Sequence, residues 1–172
     1  IVGTADNDYL QGGAGDDVYL FGRGNGQDTI YDYDLANGGG QDTIRLAADL
    51  NPTDVTLSRD ASSLYLSING TGDSLTISNW YGGTNYRVER MKFADGTVWD
   101  ATLLANAPYL GTDGADYLYG TNDNETFIGG SGDDTLYGNG GDDVYLFGRG
   151  YGQDTISDFD YANGGGQDTI RL

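Results

Sequence analysis

The 172-residue chain carries 27 acidic residues against eight basic ones, a formal net charge of −19 that excludes nucleic acid as a partner and repels anionic membranes. It has neither cysteine nor histidine, which excludes disulfide stapling, thiol catalysis, most zinc or iron–sulfur chemistry and the commonest general base. Of the acids 25 are Asp, a good turn former and a short, hard oxygen ligand; only Glu89 and Glu125 are longer.

Residues 1–46 are a glycine-rich first block. Gly3-Thr4-Ala5-Asp6-Asn7-Asp8-Tyr9-Leu10-Gln11 and Gly12-Gly13-Ala14-Gly15-Asp16-Asp17-Val18-Tyr19-Leu20 share one nine-residue template, with glycine first, an acid sixth and an apolar residue eighth. Two looser units follow, ending in Asp28-Thr29-Ile30 and Asp42-Thr43-Ile44. Asp17 to Asp28 is eleven residues and Asp28 to Asp42 fourteen, so the step of nine carries insertions of two and five. A solenoid tolerates these as bulges at its turns. No apolar run is long enough for a transmembrane helix and no signal peptide opens at Ile1-Val2-Gly3. The missing initiator Met sets the expectation of an excerpt from something longer.

Residues 47–108 change character. Glycine thins out and strand alternation begins at Val55-Thr56-Leu57, Leu64-Tyr65-Leu66-Ser67-Ile68 and Leu75-Thr76-Ile77. Asp95-Gly96 reads as a hairpin turn between Met91-Lys92-Phe93 and Thr97-Val98-Trp99. Val88 and Met91 lie on opposite phases, which implies a bulge near Arg90. Asp100 is placed to cap one short helix over residues 101–106, with Pro108 beyond its end.

Residues 109–172 return to the first pattern. Residues 111–146 divide into four units of nine, with Gly111, Gly120, Gly129 and Gly138 first. Asp116, Glu125, Asp134 and Asp143 are sixth, and Leu118, Phe127, Leu136 and Tyr145 eighth. Glycines early in a unit allow a tight half-circle turn, and the last three residues form a short strand with only the eighth side chain inward. A longer repeat overlies the short one: residues 12–46 match 138–172 at 29 of 35 positions with a constant offset of 126, as expected of a tandem array.

Gly129-Gly130-Ser131-Gly132-Asp133-Asp134-Thr135-Leu136-Tyr137 resembles the nonapeptide of the RTX family. Between the blocks, Asp54-Val55-Thr56-Leu57-Ser58-Arg59-Asp60, Gly72-Asp73-Ser74-Leu75-Thr76-Ile77, Asn79-Trp80 and Phe93-Ala94-Asp95-Gly96-Thr97-Val98-Trp99 look like the haemolysin-type calcium-binding-related domain. The resemblance implies an all-β fold: parallel β-roll blocks over 1–46 and 109–172, flanking a small antiparallel β region, 47–108, with one short helix.

It also implies calcium, held by sixth-position carboxylates and backbone carbonyls of the glycine turns. Coils of a parallel stack lie about 4.8 Å apart and calcium–oxygen bonds run about 2.3–2.6 Å, so an ion between stacked turns touches both. Turns alternate sides, so each shares ions with the second turn along. That pairs Asp8 with Asp28, Asp17 with Asp42, Asp116 with Asp134, Asp134 with Asp154, Glu125 with Asp143, and Asp143 with Asp168, for at most six ions. The carbonyls belong to Gly13, Gly15, Gly24, Gly26, Gly38, Gly40, Gly114, Gly130, Gly132, Gly141, Gly150, Gly152, Gly164 and Gly166. Glu125, and Asp123 at a glycine position, depart from the pattern and make the weakest site. Fifth-position Asp16, Asp133 and Asp142 are expected to face solvent. Asp32, Asp34, Asp158 and Asp160 either cap the roll with a further ion or form a solvated edge.

Other readings of these residues fare worse. Adjacent carboxylates such as Asp142-Asp143 face apart on an extended turn, whereas glycosidase pairs face each other across a cleft. Gly22-Arg23-Gly24-Asn25-Gly26 opens no helix and so makes no phosphate loop. Trp80, Tyr81, Tyr86 and Trp99 form either a sugar-stacking patch or buried core. The expected function is a calcium-dependent folding and scaffold module, without catalysis, of a large bacterial protein that RTX likeness places outside the cell after type I secretion. The alternative is an adhesin-type module that recognises a glycan or surface. Neighbouring repeats of the same parent chain are the expected protein partners, and no membrane insertion is expected.

Overall fold

A computed structural model describes residues 1–34, 40–159 and 166–172. Gly38, Asp160 and Gly164 lie outside the described residues. The chain divides into two compact units, one of Ile1–Leu57 with Ser62–Ala105 and one of Ser58–Ala61 with Asn106–Leu172. Among the described residues no helix is long and apolar enough to cross a membrane.

In the second unit the nine-residue period becomes a flattened coil. Strands β10 (Tyr109–Leu110), β12 (Thr126–Ile128), β14 (Val144–Leu146) and β16 (Thr169–Arg171) make one parallel sheet. Strands β11 (Tyr117–Tyr119), β13 (Thr135–Tyr137) and β15 (Thr155–Ile156) make another. Each strand pairs with the second one along, because each glycine turn reverses the chain onto the opposite sheet. Eighth-position Phe127, Leu136 and Tyr145 are fully buried with Tyr109, and Leu118 and Ile156 pack beside them. The rings of Tyr109, Phe127 and Tyr145 stack at 4.9 and 5.2 Å, one per coil. On the outer face Tyr119 and Tyr137 repeat that ladder at 4.6 Å.

The first unit begins likewise. Strand β1 (Tyr9–Leu10) pairs parallel with β3 (Gln27–Ile30), and β2 (Val18–Phe21) with β4 (Thr43–Leu46). The segment that follows shares its sheets with the first block. Strand β7 (Ser74–Ile77) joins β3 in parallel and β8 (Arg90–Lys92) joins β4 in parallel, so each continues a roll sheet by one more rung. The expected antiparallel character appears outward of them. Strand β6 (Leu64–Ile68) pairs antiparallel with β7, followed by β5 (Val55–Arg59), and β9 (Val98–Asp100) pairs antiparallel with β8. The strand register runs unbroken through Arg90, Met91 and Lys92, so the phase change after Val88 precedes β8 and no bulge interrupts it. Asp100 Oδ1 accepts the Leu103 N–H at 3.0 Å and caps α1 (Ala101–Ala105).

Trp80 is 0% exposed and its indole N–H donates to the Val88 carbonyl at 3.0 Å. The residue at the centre of the supposed sugar patch is therefore core. Truncating Phe127, at the middle of its ring stack, to Ala is predicted to destabilise the second unit by about 3–5 kcal/mol in denaturant unfolding at saturating calcium.

Candidate metal centre

Sixth-position carboxylates tie the coils together. In every pair expected from sequence, one oxygen accepts the backbone N–H of the acid one coil earlier. Asp28 Oδ1 accepts from Asp8, and Asp42 Oδ1 from Asp17, at 3.0 and 2.8 Å. Asp134, Asp154, Asp143 and Asp168 do the same for Asp116, Asp134, Glu125 and Asp143 at 2.9, 3.0, 2.7 and 3.0 Å.

Fifth-position residues answer in the opposite direction and are not idle in solvent. Asp16, Asp133 and Asp142 accept the backbone N–H of Gln41, Gln153 and Gln167 at 2.8, 2.9 and 2.8 Å. Asn7 and Asn124 serve Gln27 and Asp142 in the same way. Each thus accepts from the next coil and acts as a rung.

The other oxygen of the sixth residue divides the turns into two kinds. Where threonine stands second, the carboxylate is satisfied inside its own turn. Asp8 Oδ2 accepts from the Thr4 N–H and hydroxyl at 2.5 and 2.8 Å, and Asp116 Oδ2 from those of Thr112 at 2.6 and 2.8 Å. Glu125 reaches the Thr121 N–H at 3.0 Å and its hydroxyl, and its extra methylene lets it do so while buried. In the other kind of turn the second oxygen is left bare. Asp28, Asp134 and Asp143 are 2%, 1% and 0% exposed, and the Oδ2 of each is buried without a hydrogen-bond partner.

The bare oxygens of Asp28, Asp134 and Asp143 lie against the first-position glycines Gly3, Gly129 and Gly138, and further along each turn backbone packs on backbone. A Cβ added at Gly132, whose φ is +123°, would stand 2.6 Å from the Gly114 carbonyl oxygen of the paired turn. Cβ atoms at Gly130, Gly141, Gly152, Gly166 and Gly40 would run into the carbonyls of Thr112, Asp123, Gly132, Gly141 and Gly15. Gly26 meets Asp6 at 2.8 Å, while Gly13, Gly15, Gly24 and Gly150 bend with positive φ in open space. Gly40, Gly114 and Gly166 do not adopt positive φ, so close approach and not handedness is what Gly40 and Gly166 supply. Buried anionic oxygens in turns built of glycine backbone, with no nitrogen or sulfur donor, fit a hard cation such as calcium.

Two further acids escaped the sequence reading because they lie outside the repeat. Asp73 accepts the N–H groups of Gly24 and Gly26, both at 2.9 Å, and Glu89 Oε2 accepts that of Asp42 at 2.8 Å. Each immediately precedes the strand that extends a roll sheet, β7 or β8, so each takes the place of the next coil's turn. Asp32 and Asp34 are buried and are not a solvated edge. Asp32 Oδ1 accepts from Gly13 and Asp34 Oδ1 from Gly15, both at 3.2 Å, and Asp34 Oδ2 from Gly40 at 2.5 Å.

Electrostatics follow this division. The Thr4 N–H holds Asp8 below the usual carboxylate range, and the Gly24 and Gly26 N–H groups hold Asp73 below it. Burial raises Asp28, Asp32, Glu89 and Glu125. Burial, with the like charges of Asp32 and Glu89, pushes Asp42 up to about 7; burial, with Glu125, Asp158 and Asp168, pushes Asp143 up to about 7. In calcium-free protein the folded state therefore holds protons that the unfolded chain has released above its own value of 3.8. Stability falls as pH rises through that window and stays low above about 7. Circular dichroism in chelator is predicted to show β-structure at the acid end of the window and its loss at the neutral end. Asp143→Asn, which cannot ionise, should flatten the slope.

Comparison with known proteins finds the same repeats in the sequence. The profile of the RTX calcium-binding nonapeptide repeat matches residues 1–28, 110–144 and 119–154, and that of the haemolysin-type calcium binding protein related domain matches 64–102. The iron-regulated protein FrpA of Neisseria meningitidis serogroup C is 36% identical over 112 residues, 63% of this chain. This chain spans 10% of that protein's length. The extracellular lipase LipA from Serratia marcescens is 22% identical, with a TM-score of 0.28 over 98% of this chain and 31% of its own, too loose a superposition to add to the strand register above. The chain thus carries RTX calcium-binding nonapeptide repeats on either side of a haemolysin-type calcium binding protein related domain.

Proposed function

We propose that this chain is a calcium-dependent folding and scaffold module of a larger bacterial protein, exported unfolded by type I secretion and folded outside the cell. The observation that carries this reading is the set of buried, unpartnered oxygens on Asp28, Asp134 and Asp143, in turns with no nitrogen or sulfur donor among the residues named. When bound, calcium supplies the positive charge that the eight basic residues do not bring to these turns. Asp134 joins two sites, because it accepts from Asp116 and donates its own N–H to Asp154.

Extracellular calcium sites have dissociation constants of about 10⁻⁴–10⁻³ M, well above cytosolic calcium. At ten times that constant, one site adds about 1.4 kcal/mol of stability. The six paired turns then add on the order of 8 kcal/mol, comparable with the whole stability of a small domain. In this reading the chain performs no catalysis; activity belongs to other parts of the parent protein, and neighbouring repeats of that parent are the natural protein partners. Calcium titration followed by circular dichroism tests it. Little regular structure is expected in chelator at neutral pH, with cooperative β-structure at millimolar calcium. Asp134→Ala should move the midpoint to higher calcium, and an unmoved midpoint removes the ligand assignment.

A further inference from the structure

We infer that two of the paired-turn sites are three-carboxylate sites, completed by Asp32 in the first block and by Asp158 in the second, and that these two bind calcium more tightly than the remaining sites. The inference rests on the calcium-binding reading above and adds ligands that lie outside the nonapeptide. Carboxylate oxygens of Asp17, Asp32 and Asp42 lie within 4.8 Å of one another, as do those of Asp143, Asp158 and Asp168. The two clusters are the same three positions, displaced by the 126-residue offset. In each, the sixth-position pair of a turn site is joined by an Asp that follows a short strand, β3 or β15.

Asp32 gives the cluster an observation independent of its acidity. It is 1% exposed; its Oδ1 is fixed by the Gly13 N–H, and its Oδ2 is buried without a hydrogen bond. Among the described residues no basic side chain forms an ion pair with Asp17, Asp32 or Asp42. In the second cluster Asp143 Oδ2 is bare in the same way, and the Tyr145 hydroxyl donates to Asp158 Oδ2 at 2.7 Å, orienting that carboxylate. Tyr19, the counterpart of Tyr145, is buried beside Asp32. A third anionic oxygen raises the charge count of a site already fixed by backbone bonds, and ligand charge and rigidity are what set calcium affinity.

Isothermal titration with calcium, on the whole chain, tests this with Asp32→Asn/Asp158→Asn against Asp95→Asn, a change in the hairpin turn outside the paired turns. Wild type should show two equivalents, one per cluster, bound about tenfold more tightly than the rest. The double variant should lose that class while Asp95→Asn keeps it. One uniform class in wild type, or a tight class retained in the double variant, overturns the inference but leaves calcium binding standing. No calcium binding by wild type sinks the underlying reading instead. If the double variant does not reach the wild-type circular dichroism at saturating calcium, terbium emission excited through tyrosine decides. Emission from the first two equivalents should fall in Tyr19→Phe/Tyr145→Phe, and unchanged emission overturns the inference.

Discussion

One carboxylate per coil does two opposed jobs in this protein. Its first oxygen receives the amide of the coil before it and so fixes the stacking distance. In the turns of Asp28, Asp134 and Asp143 its second oxygen is thereby buried without a partner. The bond that orders the stack therefore also assembles the repulsion that opposes it. Burial of an unpaired charge is among the most unfavourable things a fold can contain, and proteins respond by neutralising it or by recruiting a counter-charge. Here Asp42 and Asp143 do the first when no cation is supplied, which is why both sit near neutrality.

The two units share this arrangement to different degrees. The first adds an ordinary apolar core to it, with Leu64, Leu66, Ile68, Leu75, Ile77, Trp80 and Met91 all buried. That core hangs from the roll itself, since β7 and β8 extend its sheets, and Asp73 and Glu89 extend its ladder of carboxylates. The second unit encloses a thinner column around Tyr109, Phe127, Leu136 and Tyr145. Its ordering depends correspondingly more on what fills the turns.

Much of this was legible in the sequence because the repeat is short and strict. A period of nine forces alternate strands onto opposite sheets, so the partners of Asp116, Glu125, Asp134 and Asp143 followed from arithmetic and the register agrees. Eighth-position residues face inward for the same reason. What the pattern could not reveal was chemistry carried by non-repeating positions. Asp73 and Glu89 stand in for missing turns, yet nothing local distinguishes them from surface acids. Residues 47–108 were read as a separate antiparallel body because alternation fixes a strand but not its partner. Fifth-position acids are exposed, as expected, but their backbone acceptor role was not legible because it leaves the side chain exposed all the same.

In the second unit Thr112 and Thr121 stand in the first turn of each stack, where hydroxyl and amide occupy the acid of their own turn. The comparable place in that unit's later turns is taken by Gly130, Asn139 and Gly150, which offer no hydroxyl. The roll of the second unit thus has a polarity written in side chains: a sealed head, then rungs that wait for the next. Lengthening such an architecture by whole periods leaves the seal untouched, so its reach can change by gene duplication without any redesign of where it starts.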